Sequence, residues 1–203
     1  MLTVSGLCKS YSGVPVLTGV TFTLLPGEAV AVVGPNGAGK TTLLKCVAGL
    51  EEPDSGAVEL DGAVLRESDP AVRAAMACLL DDADYFPDLS VVDHLTLYAH
   101  AHGTSDVPGT VTSVLHELDL PADQLPVTLS SGQRHRLGLA SCLVRPRRLL
   151  LLDEPEQRLD NAGRAWLAER LAKEKASGVA VLFTSHDPGL IEAVADRTVE
   201  ITA

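Results

Sequence analysis

One eight-residue run, Gly34-Pro35-Asn36-Gly37-Ala38-Gly39-Lys40-Thr41, restricts the fold of this chain more than any other. It matches G-x-x-x-x-G-K-[ST], and its flanks are those the pattern requires. Ahead of it, Glu28-Ala29-Val30-Ala31-Val32-Val33 predicts a short buried strand. Behind it, residues 42–49 predict a helix with Leu43, Leu44 and Val47 on one side. A strand that curls through three glycines into a helix aims successive N–H groups, and the helix's positive end, at a single anion. A nucleotide's phosphates are that anion. Lys40 reaches the β- and γ-phosphates and the Thr41 hydroxyl ligates Mg²⁺. The candidate nucleotide-binding residues are therefore Gly34, Pro35, Asn36, Gly37, Ala38, Gly39, Lys40, Thr41 and Thr42.

At 203 residues the chain predicts one domain, with room for two lobes. Hydrophobic residues make up 46% and aromatic ones only 3%, so the core is aliphatic. The formal net charge of −11 argues against a nucleic-acid partner, whose binding surface shows a basic footprint. It equally disfavours direct docking on an anionic leaflet. No apolar run approaches the roughly 20 residues needed to span a bilayer. The N-terminus lacks a basic region followed by an apolar one, so no signal peptide is expected. Cys8, Cys46, Cys78 and Cys142 are scattered singly and read as reduced, small core residues of a cytosolic protein. His94, His100, His102, His116 and His135 fall in segments that read as helices, packed or solvated rather than functional.

Residues 1–26 alternate apolar and polar, with turns at Ser12-Gly13 and Pro26-Gly27, and predict short antiparallel strands. A hairpin closes around Asp61-Gly62, between residues 57–60 and 63–65. Residues 76–80 predict another buried strand. Ser90 is placed to cap a helix to His102, with Asp93 three residues on. Val111, Val114, Leu115 and Leu118 mark a second helix, stopped before Pro121. Residues 82–140 thus predict a mainly helical lobe inserted between 1–81 and 141–203. Two further strands, at 149–152 and 179–183, flank a helix over 161–176. Strands alternating with helices imply an α/β fold with a mostly parallel sheet, whose ligand loops lie at its C-terminal edge.

Leu149-Leu150-Leu151-Leu152-Asp153-Glu154-Pro155 is a buried strand ending in two carboxylates. Beside a phosphate loop, Asp153 is suited to hold Mg²⁺ through water. Glu154, one residue on, points elsewhere and is suited to polarise an attacking water as general base.

Further short motifs occur in a consistent order. Leu129-Ser130-Ser131-Gly132-Gln133, then Arg134-His135-Arg136-Leu137, resembles the signature of ATP-binding cassette (ABC) ATPases. His186, in Thr184-Ser185-His186-Asp187, matches that family's switch histidine. Tyr11 stands where the family stacks a ring on adenine, though a strand tyrosine is an alternative. Arg158-Leu159-Asp160 falls at its D-loop, and Asp160 also suits a helix N-cap.

The resemblance spans essentially the whole chain. It implies a P-loop NTPase with a RecA-like core, an N-terminal antiparallel β-subdomain and an inserted helical subdomain. It further implies that Ser130, Ser131, Gly132 and Gln133 face ATP held by a second cassette, in a homodimer or heterodimer. Lys40, Glu154 and His186 become the catalytic set, with ATP and Mg²⁺ bound. The family's membrane-free subunits energise a separate integral permease from the cytoplasmic face, touching the membrane only through that partner. The chain's brevity resembles small exporter-type subunits, including the haem-exporter branch. A soluble cassette acting in translation or DNA repair, or a regulatory cassette, is the rival reading. The former usually carries two cassettes or a basic face, and intact Glu154 and His186 argue against the latter.

Three departures stand out. Asp81 occupies the place of a glutamine that contacts Mg²⁺ or water in the family, unless the alignment shifts onto Asp82. Aspartate still coordinates a metal but lacks the amide donor and adds negative charge. Ser131 replaces the commoner glycine of the signature. Gln157 and Arg158 are bulkier than the usual residues before the D-loop.

Overall fold

Alternation between Leu2 and Leu24 builds two long antiparallel strands, β1 (Leu2–Tyr11) and β2 (Val14–Leu24). Their Ser12-Gly13 turn has φ of 50° and 81°, the pair of positive values that a two-residue hairpin requires. The sequence suggests several shorter strands here. Register shifts within β1 absorb the breaks in alternation without ending the pairing. The structure, a computed structural model, describes residues 1–66, 68–80 and 85–202.

After β2 the chain enters β3 (Ala29–Val33), turns through the glycine-rich loop and forms α1 (Lys40–Ala48). Strands β4 (Ser55–Leu60) and β5 (Ala63–Val64) return to the first sheet, giving the antiparallel order β2-β1-β4-β5. A short helix α2 (Pro70–Ala75) leads into β6 (Met76–Leu79). Periodicity misses α2 because it is barely two turns long, but its local signals are plain. Pro70 opens it, and Asp69 Oδ1 accepts from Ala71 N at 2.8 Å.

Helices α3 (Val91–Ala101) and α4 (Val107–Glu117) follow, then α5 (Ser131–Leu143). His102 sits at the C-terminal cap of α3 rather than within it. Strand β7 (Leu149–Leu152), α6 (Asn161–Ala176), β8 (Ala180–Thr184), α7 (Pro188–Val194) and β9 (Arg197–Glu200) complete the chain. The second sheet runs β6-β7-β8-β3-β9, with every neighbouring pair parallel. Helices on both faces explain why its inner strands are continuous apolar runs rather than alternating ones. Cys78 does not join the core as the sequence suggests. It lies on the edge strand β6 and is exposed, whereas Cys46 and Cys142 are buried.

Three aliphatic clusters hold these elements. Leu2, Leu24, Val30, Leu43 and Leu149 lie where the antiparallel sheet, α1 and one face of the parallel sheet meet. Ala31, Leu150, Phe183, Leu167 and Leu190 seal the opposite face beneath α6 and α7. Val91, Leu95, Val111, Val114, Leu137 and Ala140 form a third cluster among α3, α4 and α5. Trp166 packs on both of the last two. Beside it, Arg170 pairs with Glu117 of α4 at 2.8 Å and with buried Glu174 at 2.8 Å. Arg147 Nε donates to the same Glu174 at 2.9 Å. Helix α4 is thus joined to α6 and to the segment before β7 through one charged chain of contacts.

Candidate functional site

The loop between β3 and α1 is cut to glycine. Gly34, Gly37 and Gly39 have φ of 152°, 81° and 101°, values that L side chains rarely adopt. A Cβ at position 34 would lie 2.3 Å from the Ile201 carbonyl oxygen, and one at 39 would lie 2.7 Å from Val16 Cγ1. Helix α1 has Gly39 as its N-cap and no side chain closing its first turn, so its leading N–H groups remain free for an anion. Lys40 is only 6% exposed, and its Nζ donates to the carbonyls of Gly34 (2.9 Å) and Pro35 (3.1 Å). The ammonium is therefore held across the loop by bonds that a phosphate oxygen could replace.

Because β3, β7 and β8 run parallel, their C-terminal ends open on one edge. Thr41 Oγ1 donates to Asp153 Oδ2 at 2.6 Å, and Thr184 Oγ1 donates to the other Asp153 oxygen. Thr184 Oγ1 also accepts from Glu154 N at 2.8 Å. Glu154 has a left-handed backbone, φ 47°, and its carboxylate meets partners different from those of Asp153. The Gln157 amide donates to Glu154 Oε2, while His186 Nε2 lies 3.4 Å from Glu154 Oε1. Gln157, bulkier than the sequence pattern favours, thus contacts the proposed base directly.

Two adjoining cavities share Thr41 and Glu154. One of about 300 Å³ is lined by Tyr11, Val16 and the phosphate loop. The other, about 320 Å³, is lined by Asp153, Gln157, Arg158 and His135. Tyr11 stands at the rim, 43% exposed, and donates its hydroxyl to the Glu51 carboxylate. That bond, with some desolvation, raises the phenol above its ordinary value of 10.0. Lys9 Nζ sits 5.5 Å from the ring centroid.

The residues singled out in the sequence divide into two groups. Tyr11, Asn36, Gly37, Gly39, Lys40, Thr41, Thr42, Asp153 and Glu154 line the cavities, Gly34, Pro35 and Ala38 complete the loop behind them, and His186 lies beside Glu154. Ser130 and Ser131 are exposed and line neither cavity. Ser130 caps α5 by accepting from Gln133 N at 3.2 Å, and Gln133 Oε1 accepts from Ser130 N at 2.9 Å. A Cβ on Gly132 would meet the Arg158 carbonyl oxygen at 3.1 Å, so glycine permits this close approach. Asp160 caps α6, accepting from Gly163 N at 2.8 Å, and lies 3.7 Å from Arg136. Asp81, and Asp82 beside it, lie outside the described residues.

Thr184, Glu156 and His135 join the site without having been singled out for it. Thr184 belongs to the Thr-Ser-His-Asp run and could have been found there. His135 meets the Pro155 carbonyl oxygen at 2.8 Å, a contact that no local pattern announces.

Thr41 and Asp153 present hard oxygen donors a hydrogen bond apart, as a Mg²⁺ that keeps several waters and binds substrate phosphates requires. Among the described residues no group of three or more His, Cys, Asp or Glu side chains forms a dedicated metal cluster. A substrate-borne divalent ion fits this donor set.

A family model described as ABC transporter matches residues 17–157. The chain is 39% identical over 194 residues to the cytochrome c biogenesis ATP-binding export protein CcmA of Roseobacter denitrificans, covering 95% of this chain and 87% of that one. It is 36% identical over 204 residues to the phosphonates import ATP-binding protein PhnC 1 of Natronomonas pharaonis, covering 97% and 88%. A solved structure of an ATP-binding subunit of an ABC transporter superposes with a TM-score of 0.90 at 31% identity, covering 99% of this chain and 85% of that one. Export and import names stand at similar identities, so likeness alone selects neither direction.

Proposed function

This chain belongs to the ABC transporter family, and from that membership we propose how its residues bind and hydrolyse ATP to energise transport. One observation carries the reading: Lys40, Asp153, Glu154 and His186 converge on the edge where β3, β7 and β8 end. The glycine loop and the first turn of α1 cradle the phosphates. Lys40 exchanges its two carbonyl partners for phosphate oxygens. Tyr11, held by Glu51, offers its ring to the base.

Thr41 and Asp153 would hold Mg²⁺, which supplies charge neutralisation at the phosphate oxygens. Glu154 accepts a proton from the attacking water at a carboxylate oxygen as the bond to the γ-phosphorus forms and ADP leaves. His186 Nε2, next to that carboxylate, donates to the γ-phosphate.

We assign Ser130, Ser131, Gly132 and Gln133, at the start of α5 with the two serines exposed, to the γ-phosphate of a second cassette. The serine hydroxyls stand outside this chain's own cavities, which supports that assignment. Energy then passes to an integral permease, with this subunit on the cytoplasmic face. Among the described residues no helix is long and apolar enough to cross a membrane.

Calorimetry with ATP, with and without Mg²⁺, tests the reading, together with phosphate release. Mg²⁺-dependent binding and turnover are expected. No affinity for adenine nucleotides would overturn it.

A further inference from the structure

We propose that Glu156 is a positioning residue for hydrolysis, locking the loop that carries His186 to the loop that carries Glu154. The inference rests on the hydrolytic reading above and extends it to a side chain that lines neither cavity.

Glu156 is 6% exposed, two residues beyond the proposed base. Its Oε1 accepts twice, from Ser185 Oγ at 2.5 Å and from His186 N at 3.1 Å. Ser185 Oγ in turn accepts from Asp187 N at 2.9 Å, and Asp187 Oδ1 caps α7 through Gly189 N (2.9 Å) and Leu190 N (3.2 Å). One buried oxygen therefore organises the whole segment between β8 and α7. Its own backbone is equally constrained. Gln157 N returns to the Glu154 carbonyl oxygen at 3.0 Å, and His135 holds the Pro155 carbonyl oxygen.

Stability alone does not favour this arrangement. Among the described residues Glu156 Oε2 is buried without a hydrogen-bond partner, and an orphaned buried acceptor costs free energy that a packed apolar side chain would avoid. What the carboxylate achieves is geometric. The His186 ring is 44% exposed at its side chain, and 3.4 Å separates its Nε2 from Glu154 Oε1. Remove Glu156, and Ser185 Oγ and His186 N lose their shared acceptor, so the ring is no longer held against the base. Among the described residues the Glu156 side chain bonds Ser185 and His186, neither of them part of the phosphate loop, so that loop keeps its own contacts.

The test is the KM-against-kcat split of Glu156→Ala, read with ATP affinity by calorimetry. Since about 1 Å of misplacement costs up to roughly 10²-fold, kcat should fall on the order of 10- to 100-fold. KM and ATP affinity should stay within about twofold, because the cradle is intact. Glu156→Gln keeps a carbonyl acceptor and should restore most of the turnover. In a His186→Ala background, Glu156→Ala should add no further loss, because both changes act through one ring.

Wild-type kcat in Glu156→Ala, or independent losses that multiply with His186→Ala, would overturn the proposal. Should Glu156→Ala fail to fold, Ser185→Ala removes one of the two donors with less disturbance and must lower kcat in the same way. Wild-type rates in both Glu154→Gln and His186→Ala would instead sink the hydrolytic reading, and this inference with it.

Discussion

Thr41 and Asp153 lie 112 positions apart in the chain, yet the hydroxyl of one donates to the carboxylate of the other over 2.6 Å. Neither residue is placed by its own neighbourhood alone. Thr41 is fixed in the first turn of α1, and Asp153 by its backbone N–H, which reaches the Leu79 carbonyl oxygen at 2.8 Å. The parallel sheet between them delivers the contact.

If this pair holds the divalent ion, Asp153→Asn should weaken ATP binding in Mg²⁺ while leaving binding in EDTA almost unchanged. Calorimetry in the two buffers measures the difference. An undiminished Mg²⁺ effect would remove Asp153 from the metal site.

Glu154→Gln should bind ATP normally and lose about 10²–10⁴-fold in turnover, the usual contribution of a positioned base. Sedimentation in excess ATP should then show a dimer absent from the ADP sample. Turnover near the wild-type rate would mean that another group takes the proton.

Gly34→Ala puts a methyl group 2.3 Å from the Ile201 carbonyl oxygen, at a φ of 152°. Expected is a loss of nucleotide affinity of at least about tenfold, larger than any loss of thermal stability accounts for. Unchanged affinity would show that the loop reshapes freely.

Burial lowers His94 below its ordinary 6.5, and its Nδ1 has no partner in the apolar cluster. The folded chain therefore binds fewer protons there than the unfolded chain does. This contribution to stability is fully present above about pH 6.5 and is lost as the pH falls below that value, through the depressed folded value. His102, also lowered by burial, acts in the same direction. Urea midpoints at a series of pH values should drop on acidification, and less so in His94→Leu. A slope identical in the two proteins would exonerate this ring.

Glu174 is 4% exposed between Arg147 and Arg170, so Glu174→Ala takes the carboxylate from the largely buried Arg147 guanidinium, while Arg170 keeps Glu117. Breaking a buried pair in this way typically costs about 3–5 kcal/mol, readable by denaturant unfolding. A loss below about 1 kcal/mol would indicate that water replaces the carboxylate.

What could be read from the sequence is what neighbours in sequence determine. The strand, glycine turn and helix around residues 34–41 announce themselves, as do the caps at Ser90 and Asp160, because each partner lies within three residues. The leucine run before Asp153 and Glu154 is legible for the same reason. Contacts that cross the fold are not. Nothing in Pro155-Glu156-Gln157 tells that one side chain turns inward to Ser185 while the next caps Glu154. Strand β9 is similarly hidden, since Arg197-Thr198-Val199-Glu200 has neither an apolar run nor full burial and is a strand because β3 offers it an edge. The charged link from Glu117 to Glu174 joins elements whose sequences give no hint of each other.

Ile201 binds the loop twice over: its N–H reaches the Val33 carbonyl oxygen at 2.8 Å, and its own oxygen abuts Gly34. The residue that follows β9 thereby helps fix the glycine loop proposed to cradle ATP. Displacing that segment should therefore disturb the glycine loop without touching any acidic residue of the proposed site.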